Sequence, residues 1–211
     1  MEIFYNPPYF SYWDQPTAAD AAKAREWLAE YISKNGPFDG VMGFSQGCQL
    51  AASVLLHHQK TSPSTPPPFK FAIFICGAAA LLDLIDGLNF IATDRAIEMD
   101  ISSGQDLLNR AQTSAILRQG GTRWVDMRST TDITEEEFCK EINGEYEIKV
   151  PTVHVYGCKD PRYFQGVHLA HICDKTKRKV YDHLGGHEIP RNKIVSSTIA
   201  NLVKWAVEFD G

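Results

Sequence analysis

Phe38-Asp39-Gly40-Val41-Met42-Gly43-Phe44-Ser45-Gln46-Gly47-Cys48-Gln49-Leu50-Ala51-Ala52 is the stretch that decides how this chain folds. Its first five residues form a short apolar segment. Gly43-Phe44-Ser45-Gln46-Gly47 is a glycine-framed turn, and the apolar run that continues to Leu56 has the length and spacing of a helix. A strand, a sharp turn and a helix in that order lift the serine hydroxyl above the end of a sheet, as a nucleophile elbow does. The two glycines leave room for the strained turn. The helix N-terminus behind the serine offers backbone N–H groups, the Gln46 N–H first among them, to a developing oxyanion.

The bare pattern G-x-S-x-G is weak. With Gly and Ser each near 7% of average usage, a chain of 211 residues matches it by chance about once in fifteen. The competing reading is a Gly-rich turn without chemistry, so the decision falls to the rest of the chain. A serine nucleophile needs a base and an acid, which in this kind of fold follow it in the order acid, then histidine. Lys179-Val180-Tyr181-Asp182-His183 has the pattern of a terminal strand, followed by Leu184-Gly185-Gly186-His187-Glu188-Ile189-Pro190. A histidine on such a Gly-Gly loop can reach back over the sheet. Upstream, Val150-Pro151-Thr152-Val153-His154-Val155-Tyr156-Gly157 has the pattern of a buried strand, and Cys158-Lys159-Asp160-Pro161 turns at its C-terminal end, where parallel sheets place functional groups. Asp160 is the natural acid. Imidazole is the side chain suited to take a serine proton near pH 7, and a carboxylate behind it holds the tautomer and stabilises the imidazolium.

These segments together resemble the fungal serine hydrolases of the FSH family, which include thioesterases that release polyketides from their synthases. The resemblance rests on residues 37–47, on Pro66-Pro67-Pro68-Phe69-Lys70-Phe71-Ala72-Ile73-Phe74 as the next strand, on residues 151–160, and on Gly185-Gly186-His187-Glu188-Ile189-Pro190. It covers about half the chain and implies Ser45 as nucleophile, Asp160 as acid and His187 as base. It also implies a first strand ending in a Leu-His-Gly-like oxyanion loop, then a helix and a second strand, all before Tyr9-Phe10-Ser11-Tyr12-Trp13-Asp14. No counterpart of that opening is found here, and residues 81–147 form a longer connection than the family's usual one.

The composition bounds the function. A chain of 211 residues with 44% hydrophobic content can bury a real core as one domain spanning 1–211. A net charge of −5 and no basic stripe exclude a nucleic-acid binder. The longest apolar stretch, residues 69–82, is interrupted by Lys70 and too short to span a bilayer. The N-terminus lacks a signal-peptide pattern. Cys48, Cys76, Cys139, Cys158 and Cys173 form no C-x-x-C pair and suit free thiols in a reducing, cytoplasmic setting.

Strands alternating with helices predict a parallel sheet with helices on both faces. The first helix starts at Thr17, with Asp20 at capping-box spacing. It presents Ala24, Trp27, Leu28, Tyr31 and Ile32 as one apolar stripe and stops at Gly36. Within 81–147 the pattern predicts helices over 106–117 and from a Thr134/Glu137 capping box to Asn143-Gly144, a helical lid-like insertion over the serine. Further helices are predicted over 164–173 and over 193–209, the latter with Ile194, Ile199, Leu202, Val203 and Ala206 inward. Residues 61–68 are a Pro/Ser/Thr loop.

Several other groups compete for roles. His183 is an alternative base, and Asp174 or Asp182 an alternative acid. His168 and His171 with Asp174 have metal-like spacing, against the plainer reading of a solvated helix face. His57-His58 ends the elbow helix, where positive charge suits the dipole. Tyr9, Tyr12 and Trp13 either line a pocket or pack under the sheet.

The expected fold is an α/β-hydrolase-type parallel sheet, N-terminally shortened. The expected chemistry is cleavage of an ester or thioester, free or carrier-protein-bound, through an acyl-Ser45 intermediate, with Asp160, His187 and the Gln46 N–H in support and no cofactor or metal. The setting implied by the resemblance is fungal polyketide-type metabolism. A cyclase or a non-hydrolytic substrate-binding protein on the same fold is the alternative. With its neighbour missing, the elbow strand is expected at a sheet edge, where a second copy would pair with it. The 1–10 segment is a poor substitute, since Pro7 and Pro8 remove two donors.

Overall fold

The computed structural model describes residues 11–13 and 17–209. Four parallel strands form its sheet: β1 (Gly40–Phe44), β2 (Phe71–Ile75), then β5 (Thr152–Tyr156) and β6 (Arg178–Asp182), in the order β1-β2-β5-β6. Strand alternation divides the core in two. Ala72 and Phe74 point to one face, against Leu55 and Leu56 of helix α2 (Gln46–Thr61) and Leu169 of helix α6 (Tyr163–His171). Ile73, Ile75, Val153 and Val155 point to the other, against Leu202, Val203 and Ala206 of helix α7 (Lys193–Val207). A sheet buried on both faces demands continuous apolar strands, which is what β2 and β5 are. Ile194, expected inward, is 77% exposed because the first turn of α7 buries its neighbour Val195 instead.

Among the described residues the elbow strand stands at the sheet edge, as expected. β1 ends the sheet, no strand among the described residues pairs with its outer side, and Met42 and Phe44 are exposed. The reading of residues 1–10 as a poor substitute, and of Tyr9 as a pocket residue, lies outside the described residues.

Helix α1 (Ala18–Asn35) is capped as expected: the Thr17 hydroxyl oxygen accepts from the Asp20 N–H, and the Gly36 N–H closes the far end on the Ile32 carbonyl. Its buried residues are Ala21 and Ala24, packed on Leu50 of α2. Trp27 and Tyr31 do not join that stripe. They stand half exposed in an aromatic row running Tyr12, Trp27, Tyr31, Phe38, with ring centroids 5.8–6.0 Å apart. Small residues on the inner face let α1 approach closely and leave the rings outside.

A buried polar knot joins α1, α2 and a wide π-helical turn at Asp83–Gly87. The Asp83 carboxylate accepts from Arg25 Nη1 (2.9 and 3.1 Å) and Ser53 Oγ (2.6 Å), and lies 3.1 Å from His57 Nε2. Burial opposes its ionisation, but the bonds from His57 and Ser53 and the charge of Arg25 outweigh that and lower its pKa. His57 therefore serves this knot rather than the helix dipole. Removing one partner of such a buried pair typically costs about 3–5 kcal/mol.

Residues 81–147 hold β3 (Ile91–Ala92), α3 (Asp94–Ala111), α4 (Thr113–Gln119), two 3₁₀ turns, α5 (Glu135–Lys140) and β4 (Ile142–Asn143). The helix expected over 106–117 in fact begins twelve residues earlier and breaks at Gln112, whose ψ of 143° is extended. Its start is set by Thr93, whose hydroxyl oxygen accepts from the Ala96 N–H (3.2 Å). The Thr134/Glu137 capping box is present. Its helix stops at Lys140 rather than at Asn143-Gly144, because Ile142 and Asn143 pair antiparallel with Ala92 and Ile91. The Thr93 N–H and hydroxyl also bond the Glu141 carbonyl and carboxylate (3.0 and 2.8 Å), taking the groups that a longer helix would use.

Candidate active site

Three loops meet above the C-terminal ends of β1, β5 and β6. The first is the turn at Ser45, between β1 and α2. Ser45 has φ 53° and ψ −117°, a strained conformation for a residue with a side chain. Its N–H is held by the Ile75 carbonyl (3.0 Å), and its carbonyl accepts from the Cys48 N–H (3.0 Å). Of the two framing glycines only Gly43 is sterically required: a Cβ there would lie 2.7 Å from the Cys48 nitrogen, whereas one at Gly47 would meet nothing within 4 Å. The first two N–H groups of α2, those of Gln46 and Gly47, follow the serine directly and have no acceptor within the helix.

The second loop follows β5. Asp160 is buried, and its Oδ1 accepts from the Arg162 N–H (2.8 Å). The third follows β6. Asp182 Oδ1 accepts from Leu184 N–H (2.7 Å) and Cys158 N–H (3.1 Å), and the Lys159 N–H bonds the Gly185 carbonyl (2.9 Å), so the acid loop and the histidine loop are tied to one another. Gly186 is pressed against the Trp124 ring, which a Cβ would strike at 2.1 Å. The 3₁₀ region after α4 thus buttresses the histidine loop.

Within this frame His187 Nδ1 is 2.7 Å from Asp160 Oδ2, and His187 Nε2 is 2.9 Å from Ser45 Oγ. A carboxylate only accepts, so Nδ1 carries the proton and Nε2 is left to accept from the serine hydroxyl. The Phe44 ring lies 5.2 Å from the imidazole. The three residues singled out in the sequence are therefore brought into one hydrogen-bonded row.

The alternatives fall elsewhere. His183 is buried, accepts from the Gly185 N–H at Nδ1 (3.2 Å) and faces the Cys76 thiol at 3.8 Å; burial lowers its pKa, so it stays neutral behind the row. Asp182 is committed to loop amides, and Asp174 caps Thr176 on the surface (2.9 Å). His168 does not lie on a solvated face: it is buried, with Nε2 3.2 Å from the Ile142 carbonyl, while His171 is exposed. Trp13 lines the cleft and Tyr12 belongs to the aromatic row.

Cys76 was not foreseen. It follows β2 at φ 47°, and its thiol lies 3.5 Å from the Glu188 carbonyl. Cys76, Asp160 and His187 offer ligand atoms all within 4.8 Å of one another, the one potential metal group of this kind among the described residues. Burial, and then the nearby Asp160 charge, raise the thiol's pKa well above its ordinary value. A protonated thiol against an already bonded Asp–His pair fits a packing role better than a metal ligand.

A cleft of about 610 Å³ opens in front of Ser45 and His187. Its floor is Trp13, Gln46, Gln49, Cys76 and Ala78; its far wall is α3, through Ile97, Asp100, Ile101, Gly104, Gln105, Leu107 and Leu108. The side chain of Gln46 fastens the floor, with Oε1 accepting from the Tyr12 N–H (2.9 Å) and Nε2 donating to the Trp13 carbonyl (2.8 Å). The wall is fastened by Arg162, which donates to Asp100 Oδ1 (2.6 Å), the Asp100 carbonyl (2.6 Å) and Ser103 Oγ (3.0 Å). A hint of this wall was available in the sequence as the recurrence of Ile97, Ile101, Gly104 and Leu108 at helical spacing. Its anchor, a lone Arg two residues after the acid, carried no such signal.

Comparison with known proteins identifies a family. Residues 4–199 match the family model described as "Serine hydrolase (FSH1)". The chain is 33% identical over 183 residues to "Esterase FPY3" of Fusarium mangiferae, covering 86% of this chain and 62% of that protein. It is 30% identical over 228 residues to "Esterase alnB" of Emericella nidulans, covering 97% and 79%. Among solved structures, "Alpha/beta hydrolase domain-containing protein 10 from mouse" aligns with a TM-score of 0.47 at 15% identity, covering 87% of this chain and 69% of that one. The chain spans just under two thirds of the first of these esterases and more of the second. A parallel sheet flanked by helices, a strained serine turn and a family match over nearly the whole length lead to one conclusion: this chain belongs to the FSH1 serine hydrolase family.

Proposed function

We propose that this hydrolase cleaves an ester or thioester through an acyl-Ser45 intermediate. Ser45 Oγ attacks the carbonyl carbon while its proton passes to His187 Nε2, and Asp160 holds the imidazolium that results. The Gln46 N–H stabilises the oxyanion. The C–O or C–S bond then breaks, and the alcohol or thiol leaves with the proton from His187. Water, activated by the same imidazole, releases the acid and restores Ser45.

The observation that carries this reading is the Asp160–His187–Ser45 row, with contacts of 2.7 and 2.9 Å. The kinship with proteins named as fungal esterases supports a setting in fungal polyketide-type secondary metabolism, with the acyl group presented free or on a carrier protein. Five buried free cysteines support a reducing, cytoplasmic location, and no helix among the described residues is long and apolar enough to cross a membrane. Residues 81–147 act as a lid over the serine within one domain spanning the chain. The open edge of β1, beside the exposed Tyr12–Phe38 aromatic row, supports pairing of two copies, and sedimentation at micromolar concentration tests it.

The central test is a fluorophosphonate probe. The protein should label at Ser45, and Ser45→Ala should abolish labelling with the fold intact. A wild-type protein left unlabelled under conditions that label an ordinary esterase would sink this reading in favour of a cyclase or a binding protein on the same fold.

A further inference from the structure

We infer that the cleft receives an acyl group with a long uncharged hydrocarbon body lying along α3, and that Gly104 sets the bulk this body can have. The inference rests on the acyl-Ser45 reading and adds to it the class of acyl group.

Three observations carry it. First, α3 turns Ile97, Ile101, Gly104 and Leu108 toward the cleft that holds Ser45, and Ile101 and Leu108 are 67% and 64% exposed. Apolar side chains left open on a wall continuous with a nucleophile are what an apolar ligand covers.

Second, the charged groups of the cleft wall and most of its amides are already engaged, Gln49 being, among the described residues, the one uncommitted side-chain amide of the floor. Arg162 and Asp100 satisfy each other, the Gln46 amide is spent on Tyr12 and Trp13, and Gln105 Nε2 donates to Asn109 (3.1 Å). A charged acyl body would find no free countercharge on this lining, and a volume of about 610 Å³ far exceeds what an acetyl group fills.

Third, Gly104 stands in the interior of an 18-residue helix, where glycine is less stable than alanine. Nothing around it demands the exchange. Its backbone is not left-handed, and a Cβ would meet only the Arg162 guanidinium at 3.6 Å, an ordinary contact. What the missing side chain provides is space in the cleft, one turn from Ile101 and one from Leu108.

The test compares kcat/KM for decanoyl and acetyl p-nitrophenyl esters in wild type, Gly104→Ala, Gly104→Leu and Gly104→Phe. The decanoyl-to-acetyl ratio should stay within about threefold in Gly104→Ala and fall progressively, by at least about tenfold in Gly104→Phe. Gly104→Ala should also raise Tm by about 2–4 °C, as removing a mid-helix glycine does in a chain of this size. Calorimetric binding of decanoate to Ser45→Ala, with and without Gly104→Leu, reads the cleft without the chemistry, and the second substitution should weaken it about tenfold. An unchanged ester ratio together with unchanged decanoate binding would overturn the assignment. If wild type neither labels with fluorophosphonate nor turns over either ester, yet Gly104→Leu still weakens decanoate binding, the acyl-enzyme reading fails and the chain-binding wall stands.

Discussion

The two walls of the cleft are held by different means. The wall bearing Ser45, Asp160 and His187 is made of backbone turns at strand ends, cross-tied by main-chain bonds such as Ser45 to Ile75 and Lys159 to Gly185. The facing wall is an amphipathic helix, α3, fastened near the site mainly by one side chain, Arg162. Backbone turns fix atoms to tenths of an ångström, which proton transfer requires. A helix held by side chains can be re-spaced without disturbing those turns. Chemistry and choice of substrate are thereby assigned to separable parts, and the separation can be attacked from either side.

The largest effect should come from the chemical wall. Ser45→Ala or His187→Ala should lower kcat by about 10⁴-fold or more, as loss of one member of a coupled row does elsewhere. Decanoate affinity should change little, because neither residue lies on α3. A loss below tenfold for His187→Ala would transfer the base role to another residue and break the division at its firmest point.

Loosening the other wall should cost much less, and in a different parameter. Arg162→Met removes the guanidinium from Asp100, which is 23% exposed and can turn to water. The Arg162 backbone N–H that holds Asp160 Oδ1 survives the substitution. KM for the decanoyl ester should therefore rise about tenfold while kcat moves less than about threefold. Asp100→Asn should show the same pattern, and Arg162→Lys should restore part of it. An equal fall in kcat and kcat/KM would mean that α3 and the acid loop are one unit.

The same division explains what could be seen before the structure. The elbow, the acid turn and the histidine loop were legible because each is a local pattern: a short strand ending in a turn with Gly or Pro. Ser45, Asp160 and His187 followed from the order of these patterns together with the family resemblance, with His183, Asp174 and Asp182 as alternatives that order did not separate. The α3 wall was half legible. Its lower apolar positions marked a helix, but the start at Thr93 depends on a cap and on contacts with Glu141, forty-eight residues away. Trp27 and Tyr31 were misplaced because periodicity cannot say how closely two helices approach. β3 and β4, two residues each, carry no periodicity at all. The anchoring Arg162, the buttress Trp124 and the thiol of Cys76 act only through tertiary neighbours, so nothing in their sequence surroundings announced them.

The smallest expected effect is a difference in how the two regions meet acid. His154, on β5, is fully buried against Phe74 with Nε2 3.0 Å from Thr152 Oγ1; burial, and then the Arg178 charge, bring its pKa down to about 3. His168, on α6, reaches the Ile142 carbonyl of β4 and is lowered to about 4 by burial, its hydrogen bond working the other way. In an unfolded chain both would titrate near about 6.5. The folded state then binds fewer protons, so their contribution is whole above about pH 6.5 and drains away as pH falls toward about 4 for His168 and about 3 for His154. His168 is the first to take a proton in the folded state, at about pH 4, and its partner carbonyl belongs to the strand that closes the α3 region. Hydrogen exchange, corrected for intrinsic rates, should show Ile142 and Asn143 losing protection as pH falls through about 4 while β5 keeps its own. His168→Leu should flatten this step but leave the β5 amides unaffected. Simultaneous loss in both strands would show that the walls unfold as one and that their independence is confined to catalysis.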